Sequence, residues 1–253
     1  RPGDRIAGYL PNIPQATYAF LAATSLGAIW SCCSQDFGVS SVVDRFAQIE
    51  PVLFIAADGY YYNGKTHTRL EEIDAVRQSL QGLRDTLLIN YTGAVRDEVK
   101  SGITIYDTLI DGNDEDPEFE ALPFDHPLWI LYSSGTTGAP KAITHSHGGC
   151  LLEHLKYLAF HNDVHPGERF FWYTTTGWMM WNFLHGSMML GATIVLYDGS
   201  PGYPDIDRLW AFSAEKDIQH FGTSAPYLVA CMKEGIYPGS QHDLTSLRSI
   251  GST

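Results

Sequence analysis

The chain has 253 residues, of which 44% are apolar and 13% aromatic. This composition is sufficient for one large domain or two modest ones, and it excludes a disordered tail or a disulfide-stabilised mini-protein. Asp and Glu outnumber Lys and Arg by 29 to 16, which gives a formal net charge of -13. Nucleic-acid-binding modules need clustered positive charge, so the charge balance argues against that class.

The four cysteines, Cys32, Cys33, Cys150 and Cys231, show no spacing typical of a disulfide framework or a zinc site. The N-terminal sequence RPGDRIAGYLPN contains no secretory signal, which favours a cytoplasmic location. The sequence has no initiator methionine, and it ends on the apolar pattern LTSLRSIGST. We therefore expect it to be an internal piece of a longer protein.

The first part of the chain alternates helical and strand-like patterns. Residues 14–29 carry apolar positions at helical spacing, with Pro14 suited to a first turn and Gly27 to a C-terminal cap. The run from Ser41 to Asp44 resembles a capping box and predicts the start of a second helix. Further predicted features are the end of that helix at Ile49, strands at residues 52–57 and 86–90, and a helix at residues 67–83. Because helices alternate with strands, we predict an α/β fold with layered sheets flanked by helices.

The sequence DGNDEDPEFE at residues 111–120 contains six acidic side chains and is typical of a solvated loop. It is also the best candidate for a boundary between two α/β lobes. We therefore predict a first lobe at residues 1–120, ending in this acidic linker, and a second at residues 121–253.

Residues 170–197 contain no Asp, Glu, Lys or Arg, and by length alone they are able to span a bilayer. Asn182, His185 and three glycines interrupt the stretch, and its two ends read as separate strands. We therefore predict a strand, a helix and a strand inside a soluble domain, broken at Gly177 and Gly191. An uncharged, Met- and Trp-rich segment of this kind also suits a pocket for a small, mostly apolar ligand.

The most informative motif follows the strand-like run at residues 128–132. It combines two glycines, four hydroxyl side chains and a lysine within nine residues: Ser133, Ser134, Gly135, Thr136, Thr137, Gly138 and Lys141. The glycines let backbone N–H groups turn toward an anion, the hydroxyls add donors, and the lysine supplies a positive charge. The pattern predicts that this phosphate loop (residues 133–141) binds phosphate; a purely structural hairpin is the alternative.

Other classes of protein have different signatures. In a Walker loop the lysine directly follows the glycine and opens a helix, whereas here two residues separate Gly138 from Lys141 and the next run, KAITHSH, is strand-like. A P-loop NTPase or kinase is therefore the alternative enzyme class, and a non-catalytic binding module is a further alternative. His145 and His147 have the spacing to chelate a metal, but histidines of a loop or a pocket wall are the favoured interpretation.

The sequence SSGTTGAPK resembles the Ser/Thr/Gly-rich phosphate loop of the adenylate-forming enzymes, which include acyl-CoA synthetases, firefly luciferase and adenylation domains of nonribosomal peptide synthetases. The resemblance covers nearly the whole chain, including residues 3–31, 170–183, 185–205 and 245–253. It implies part of the large N-terminal domain of such an enzyme. Within the family, TTTGWMMWN and YDGSPGYPD are most similar to the branch that activates acetoacetate.

The resemblance implies a ligase that uses ATP, Mg²⁺ and coenzyme A to convert a short carboxylic acid, most simply acetoacetate, into its coenzyme A thioester. Acetate and propionate are the alternative substrates, and neither a nucleic-acid partner nor a membrane span is expected.

Thr137 and Lys141 are the catalytic candidates within the phosphate-binding set, and Thr137 is the candidate for a hydroxyl near magnesium. The acyl-pocket candidates are Trp178, Met179, Met180 and Asn182. The candidates for the adenylate edge are Thr223, Ser224, Ala225, Gly251, Ser252 and Thr253. Lys65 is the candidate for coenzyme A, and no residue is assigned to a metal with certainty.

Overall fold

The computed structural model describes residues 1–95, 100–110, 116–133, 138 and 140–253. The chain forms two compact units. The first comprises Arg1–Tyr60 and Thr66–Cys150, and the second comprises Tyr61–Lys65 and Leu151–Thr253. This division differs from the boundary predicted at residue 120, because the strand that leads into the phosphate loop adds to the sheet of the first unit.

A seven-stranded sheet forms the centre of the first unit. The strands of the chain up to residue 146 are β1 (Arg5–Tyr9), β2 (Ile29–Cys33), β3 (Leu53–Ala57), β4 (Gly59–Tyr62), β5 (Lys65–Thr68), β6 (Asp85–Ile89), β7 (Thr104–Ile105), β8 (Pro127–Ser133) and β9 (Lys141–Ser146). The order in the sheet is β7-β6-β3-β1-β2-β8-β9, and β4 pairs with β5 separately. Neighbouring strands of the large sheet are parallel, except that β9 is antiparallel to β8.

Both faces of this sheet are covered by helices, as is usual for a mostly parallel sheet. The helices are α1 (Pro14–Ser25), α2 (Val39–Phe46), α3 (Leu70–Ser79) and α4 (Tyr106–Ile110). Val42 of α2 and Ile73 of α3 pack with Phe54 of β3 in one buried cluster. On the other face, Phe20 of α1 contacts the rings of Trp30 and Trp129 on the paired strands β2 and β8.

The predicted helices are present, but their bounds differ from the predictions. The first helix ends at Ser25, and Gly27 adopts the left-handed conformation (φ 71°) expected of a cap residue. The second helix begins at Val39 after Gly38 and has no side-chain cap, so the predicted capping box at Ser41 is wrong. The third helix begins only at Leu70, since the preceding residues belong to strand β5.

The second unit contains a four-stranded, fully parallel sheet. Its strands, in the order β11-β10-β12-β13, are β10 (Arg169–Trp172), β11 (Thr193–Val195), β12 (His220–Thr223) and β13 (Ser249–Ser252). The remaining helices are α5 (His147–Phe160), which begins in the first unit, α6 (Met179–Gly186), a 3₁₀ helix (Ser187–Leu190), α7 (Arg208–Glu215), α8 (Ala225–Lys233) and α9 (Pro238–Gln241). Phe171 and Phe221 pack in one cluster with Trp210 of α7, and Phe170 and Trp172 pack in another with Phe183 of α6.

The uncharged stretch at residues 170–197 is broken as predicted. It contains β10, the helix α6 and β11, and the chain turns at Gly191 in the left-handed conformation (φ 78°). No helix in the described part of the chain combines the length and the apolar composition needed to cross a bilayer.

Candidate functional site

The phosphate loop connects two paired strands. Ser133, the last residue of β8, is the register partner of Lys141, the first residue of β9. The antiparallel pair therefore brings the two ends of the loop together, and Lys141 is exposed at the start of β9. A strand rather than a helix follows Lys141, so the prediction of a strand at this point is confirmed. This differs from a Walker loop, in which the lysine opens a helix. Ser134, Gly135, Thr136 and Thr137 lie outside the described residues, Gly138 is exposed, and Ser133 is half-buried.

The strand that leads into the loop is fixed by its last tyrosine. The hydroxyl of Tyr132 donates to the backbone oxygen of Arg45 over 3.0 Å, and the hydroxyl of Ser31 lies 3.4 Å away. The guanidinium of Arg45 lies 4.8 Å from the ring centre of Phe37 and 5.8 Å from that of Tyr132, a cation–π geometry. Burial raises the pKa of Tyr132, so the hydroxyl remains a donor at physiological pH.

The four acyl-pocket candidates have different environments. Trp178 and Met179, at the start of α6, are 53% and 42% exposed. Met180 is half-buried and packs against the apolar cluster beside β10. Asn182 is only 1% exposed, and its Oδ1 has no hydrogen-bond partner among the described residues. An unpaired buried amide oxygen is costly, so Asn182 is the acyl-pocket candidate whose position most directly indicates a polar ligand.

The six residues of the predicted adenylate edge lie together at the carboxyl ends of β12 and β13. The N–H of Ala225 donates to the backbone oxygen of Thr253 (3.2 Å), and the N–H of Thr253 donates to that of Thr223 (3.3 Å). Of the other three, Ser224 directly follows β12, and Gly251 and Ser252 belong to β13, where Ser252 is the register partner of Thr223. The carboxyl ends of parallel strands are the usual position of ligand sites in α/β folds.

Two hydroxyls at this edge have different roles. The Oγ of Ser224 accepts from the N–H of Tyr227 and caps helix α8, so this side chain is already engaged. The Oγ1 of Thr223 is fully buried and, within the described ranges, has no hydrogen-bond partner. Thr223 is therefore the stronger candidate for a ligand contact.

Trp172 lies below this edge, and the sequence alone did not single it out. Its indole covers Gly222 of β12 and Gly251 of β13, which occupy the same row of the sheet. The indole also meets Phe183 of α6 edge-on, with ring centres 5.8 Å apart. Trp172 thus sets the spacing between α6, which carries Asn182, and the strands that carry the edge.

Comparison with known proteins decides the family. The family model described as AMP-binding enzyme matches residues 1–253. The chain belongs to the AMP-binding enzyme family. This confirms the resemblance to adenylate-forming enzymes that the phosphate loop indicated.

The relatives of this AMP-binding chain are considerably longer than the chain itself. It is 48% identical to an acetoacetyl-coenzyme A synthetase of Rhizobium meliloti (strain 1021), over 99% of this chain and 39% of that protein. It is 36% identical to a malonamoyl-CoA synthetase of Penicillium aethiopicum, over 100% of this chain and 38% of that protein. The solved structure of an acetoacetyl-CoA synthetase from Streptomyces lividans matches with a TM-score of 0.94 and 50% identity, over all of this chain and 38% of that one.

The coenzyme A candidate of this AMP-binding chain, Lys65, is the exposed first residue of β5. The residues before it, 61–64, belong to the second unit and pack closely against other residues of that unit. A Cβ added at Gly64 would lie 2.4 Å from the phenol of Tyr203, and the N–H of Tyr61 donates to Asp198 over 3.3 Å. The backbone that carries Lys65 is therefore held in place.

The two histidines near the phosphate loop, His145 and His147, differ in their contacts, since Nε2 of His147 is buried and has no hydrogen-bond partner among the described residues. The indole N–H of Trp129 donates to Nδ1 of His145 over 2.8 Å. Burial, with a smaller contribution from His126, lowers the pKa of His147. Within the described ranges, no group of three or more His, Cys, Asp or Glu side chains has the arrangement of a metal site.

Proposed function

We propose that this chain belongs to an enzyme that converts acetoacetate, ATP and coenzyme A into acetoacetyl-CoA, AMP and pyrophosphate. The activity is that of the full-length enzyme, meaning this chain within the length of its relatives. One observation carries the proposal: a Ser/Thr/Gly loop closed by the Ser133–Lys141 pair and followed by a strand, in a chain 50% identical to an acetoacetyl-CoA synthetase of known structure.

The reaction needs two displacements. A carboxylate oxygen of acetoacetate attacks the α-phosphorus of ATP, the bond from that phosphorus to the bridging oxygen breaks, and pyrophosphate leaves. The thiolate of coenzyme A then attacks the acyl carbon, and AMP leaves. Neither step needs a covalent bond to the protein, so the protein contributes positioning and charge stabilisation.

The phosphate loop is proposed to hold the β- and γ-phosphates, on which negative charge grows as pyrophosphate leaves. Lys141 supplies the positive charge, and the loop hydroxyls and backbone N–H groups supply donors. Mg²⁺ prefers oxygen ligands and is held largely by the phosphates of its substrate, and hydroxyl oxygens of this loop fit that preference. Thr137 is the proposed contact, and the ion supplies neutralising charge on the phosphates.

The acyl pocket is proposed to accept a neutral acyl tail. No ionised side chain lies between Phe170 and Tyr197, so a second carboxylate on the substrate would have no cationic partner in this segment. The amide of Asn182 carries both a donor and an acceptor, and a half-turn places its NH₂ group where the unpaired Oδ1 lies. That donor suits the keto oxygen of acetoacetate. Acetate and propionate, which lack this oxygen, are the alternative substrates, and the tail of a malonamoyl group is neutral as well.

The remaining contacts follow from the positions described above. The adenylate edge, with the unpaired hydroxyl of Thr223, is proposed to contact the acyl-adenylate, and Lys65 is proposed to pair with a phosphate of coenzyme A. The four cysteines are free and buried, which suits a reducing compartment and supports the proposal that the enzyme acts in the cytoplasm.

Analysis of the reaction products tests the proposed reaction class. We expect the full-length enzyme to catalyse exchange of labelled pyrophosphate into ATP only when acetoacetate is present, and to release AMP when coenzyme A is added. Release of ADP and phosphate, without pyrophosphate exchange, would contradict the proposal and favour the P-loop NTPase or kinase class.

A further inference from the structure

Gln48 connects the end of helix α2 to the end of the phosphate loop. Its side-chain Nε2 donates to the backbone oxygen of Asp44 over 2.7 Å and to that of Pro140 over 2.8 Å. A glutamine amide has two N–H hydrogens, so both are used by these contacts. Pro140 is the residue directly before Lys141, although it lies 92 positions from Gln48 in the sequence.

The same turn of α2 also binds the strand that enters the loop. The hydroxyl of Tyr132, directly before Ser133, donates to the backbone oxygen of Arg45 over 3.0 Å. The last carbonyl groups of a helix have no partner inside the helix, which makes the oxygens of Asp44 and Arg45 available to other donors. One helix end thus contacts the chain on both sides of the loop.

We propose that Gln48 is a positioning residue which, with Tyr132, holds the two described ends of the phosphate loop, Ser133 and Pro140, in the positions that serve phosphate binding. The inference rests on the proposed function. The Ser133–Lys141 strand pair brings the loop ends together, and the contact between Gln48 and Pro140 fixes the exit of the loop against α2. Fixing a binding loop before the ligand arrives reduces the entropy lost on binding, which improves affinity without any new contact to the ligand.

The variant that tests this role is Gln48→Met, which keeps the length of the side chain and removes both donors. Gln48 is exposed, so the substitution leaves the core intact. Gln78→Met is the matched control. Gln78 is an exposed glutamine of the same unit, and its amide also bonds a residue four positions earlier, Asp74, but within α3.

Two measurements on the full-length enzyme distinguish the effect of Gln48 on the position of the loop ends from its effect on the reaction. Hydrogen exchange followed by mass spectrometry reports on the peptide that covers strand β9, residues 141–146, without reference to catalysis. We expect Gln48→Met to accelerate deuterium uptake in this peptide about fivefold, while Gln78→Met leaves it unchanged. In pyrophosphate exchange, we expect KM for MgATP to rise about three- to tenfold, while KM for acetoacetate stays within about twofold.

The outcomes are distinct. Unchanged uptake at residues 141–146, or an unchanged KM for MgATP, would overturn the positioning role. An equal rise of KM for both substrates together with a lower melting temperature would also overturn it, because that pattern reports general destabilisation. Absence of pyrophosphate exchange in the unaltered enzyme would instead contradict the proposed function, and the uptake of the peptide would still decide whether Gln48 holds the loop.

Discussion

The indole of Trp172 lies directly against the backbone of Gly222, its register partner on the neighbouring strand. A Cβ atom added at Gly222 would come within 2.0 Å of Cδ2 of the indole, and one at Gly251 would come within 2.6 Å of its six-membered ring. Real Cβ atoms do not approach this closely, so the two glycines are required by the position of the tryptophan. The packing beneath the adenylate edge therefore depends on the absence of two side chains.

Substitution Gly222→Ala should force the indole away from the sheet. Overpacking of a well-packed core costs about 1–3 kcal/mol, and we expect a loss of free energy of unfolding near the upper end of that range. Urea titration of the full-length enzyme measures it. Gly239→Ala is the control, because no atom lies within 4 Å of a Cβ added there.

The double variant Gly222→Ala with Trp172→Leu tests whether the indole causes the loss of stability in Gly222→Ala. If the indole is what the new methyl group meets, the two losses of stability will be less than additive. Fully additive losses would contradict the account.

The stability of the second unit should depend on pH through His185. Burial lowers the pKa of this imidazole from 6.5 to about 4, against the opposing effect of its hydrogen bond to the backbone oxygen of Trp181. Between pH 6.5 and 4 the unfolded chain therefore binds a proton that the folded chain does not. The free energy of unfolding is highest above pH 6.5 and falls as the pH is lowered through this window, by about 3 kcal/mol in total.

Urea titrations at a series of pH values check this dependence. We expect His185→Gln to flatten the loss of stability between pH 6.5 and 4, whereas His161→Gln, at an exposed position, leaves the slope as it is. A slope that stays the same in His185→Gln would show that another group controls the acid sensitivity.

Asn182→Leu should change substrate preference. Butyrate has the length of acetoacetate but lacks the keto oxygen, so the ratio of kcat/KM for the two acids reports on the proposed hydrogen bond. A group that bonds the substrate in a buried site discriminates strongly against an analogue without the partner. We expect the preference for acetoacetate to fall about 100-fold in Asn182→Leu.

The matched control is Asn162→Leu, a substitution of the same kind that follows helix α5 in the same unit. It should leave the ratio of kcat/KM unchanged. If Asn182→Leu keeps the preference for acetoacetate over butyrate, Asn182 does not bind the keto oxygen in the acyl pocket.

Lys141→Ala should impair the use of ATP without unfolding the protein, because the side chain is exposed. Removing one group that stabilises developing charge costs about 100-fold or more in rate. We expect a drop of about that size in kcat/KM for MgATP, partial recovery in Lys141→Arg, and an unchanged melting temperature. Lys233→Ala, at the exposed end of α8, is the control. Full activity of Lys141→Ala would show that this lysine does not contribute to the binding of the ATP phosphates.

The 253-residue chain by itself should catalyse no pyrophosphate exchange. It matches only 39% of the Rhizobium meliloti relative, so most of the length of such an enzyme is not part of this chain. Acetoacetate-dependent exchange above background by this chain alone would contradict that expectation.

Elements set by local patterns were predictable from the sequence. The strand Leu53–Ala57 is a continuous apolar run before a polar turn, and Pro14 and Gly27 mark the two ends of α1. The boundary between the units was not predictable, because it depends on the parallel pairing of Trp30 with Trp129, residues distant in the sequence. An acidic run is a local signal and does not report such a pairing.

In the candidate site, too, features set by local sequence were predictable and features set by the packing of distant segments were not. The strand after Lys141 was predictable from its β-branched residues, and the cap at Ser224 had an available signal in the Pro226 that follows it in the first helical turn. The roles of Gln48 and Trp172 had none, because a bond to Pro140 and a contact with Gly222 arise only when distant segments pack. The burial of Asn182 likewise depends on how α6 lies on its sheet.

The most direct test of the proposed function compares acids in acetoacetate-, acetate- and propionate-dependent pyrophosphate exchange by the full-length enzyme. We predict a kcat/KM for acetoacetate at least about 100-fold above those for acetate and propionate, because only acetoacetate offers a keto oxygen to the buried amide of Asn182. A higher kcat/KM for acetate or propionate would contradict the proposed substrate.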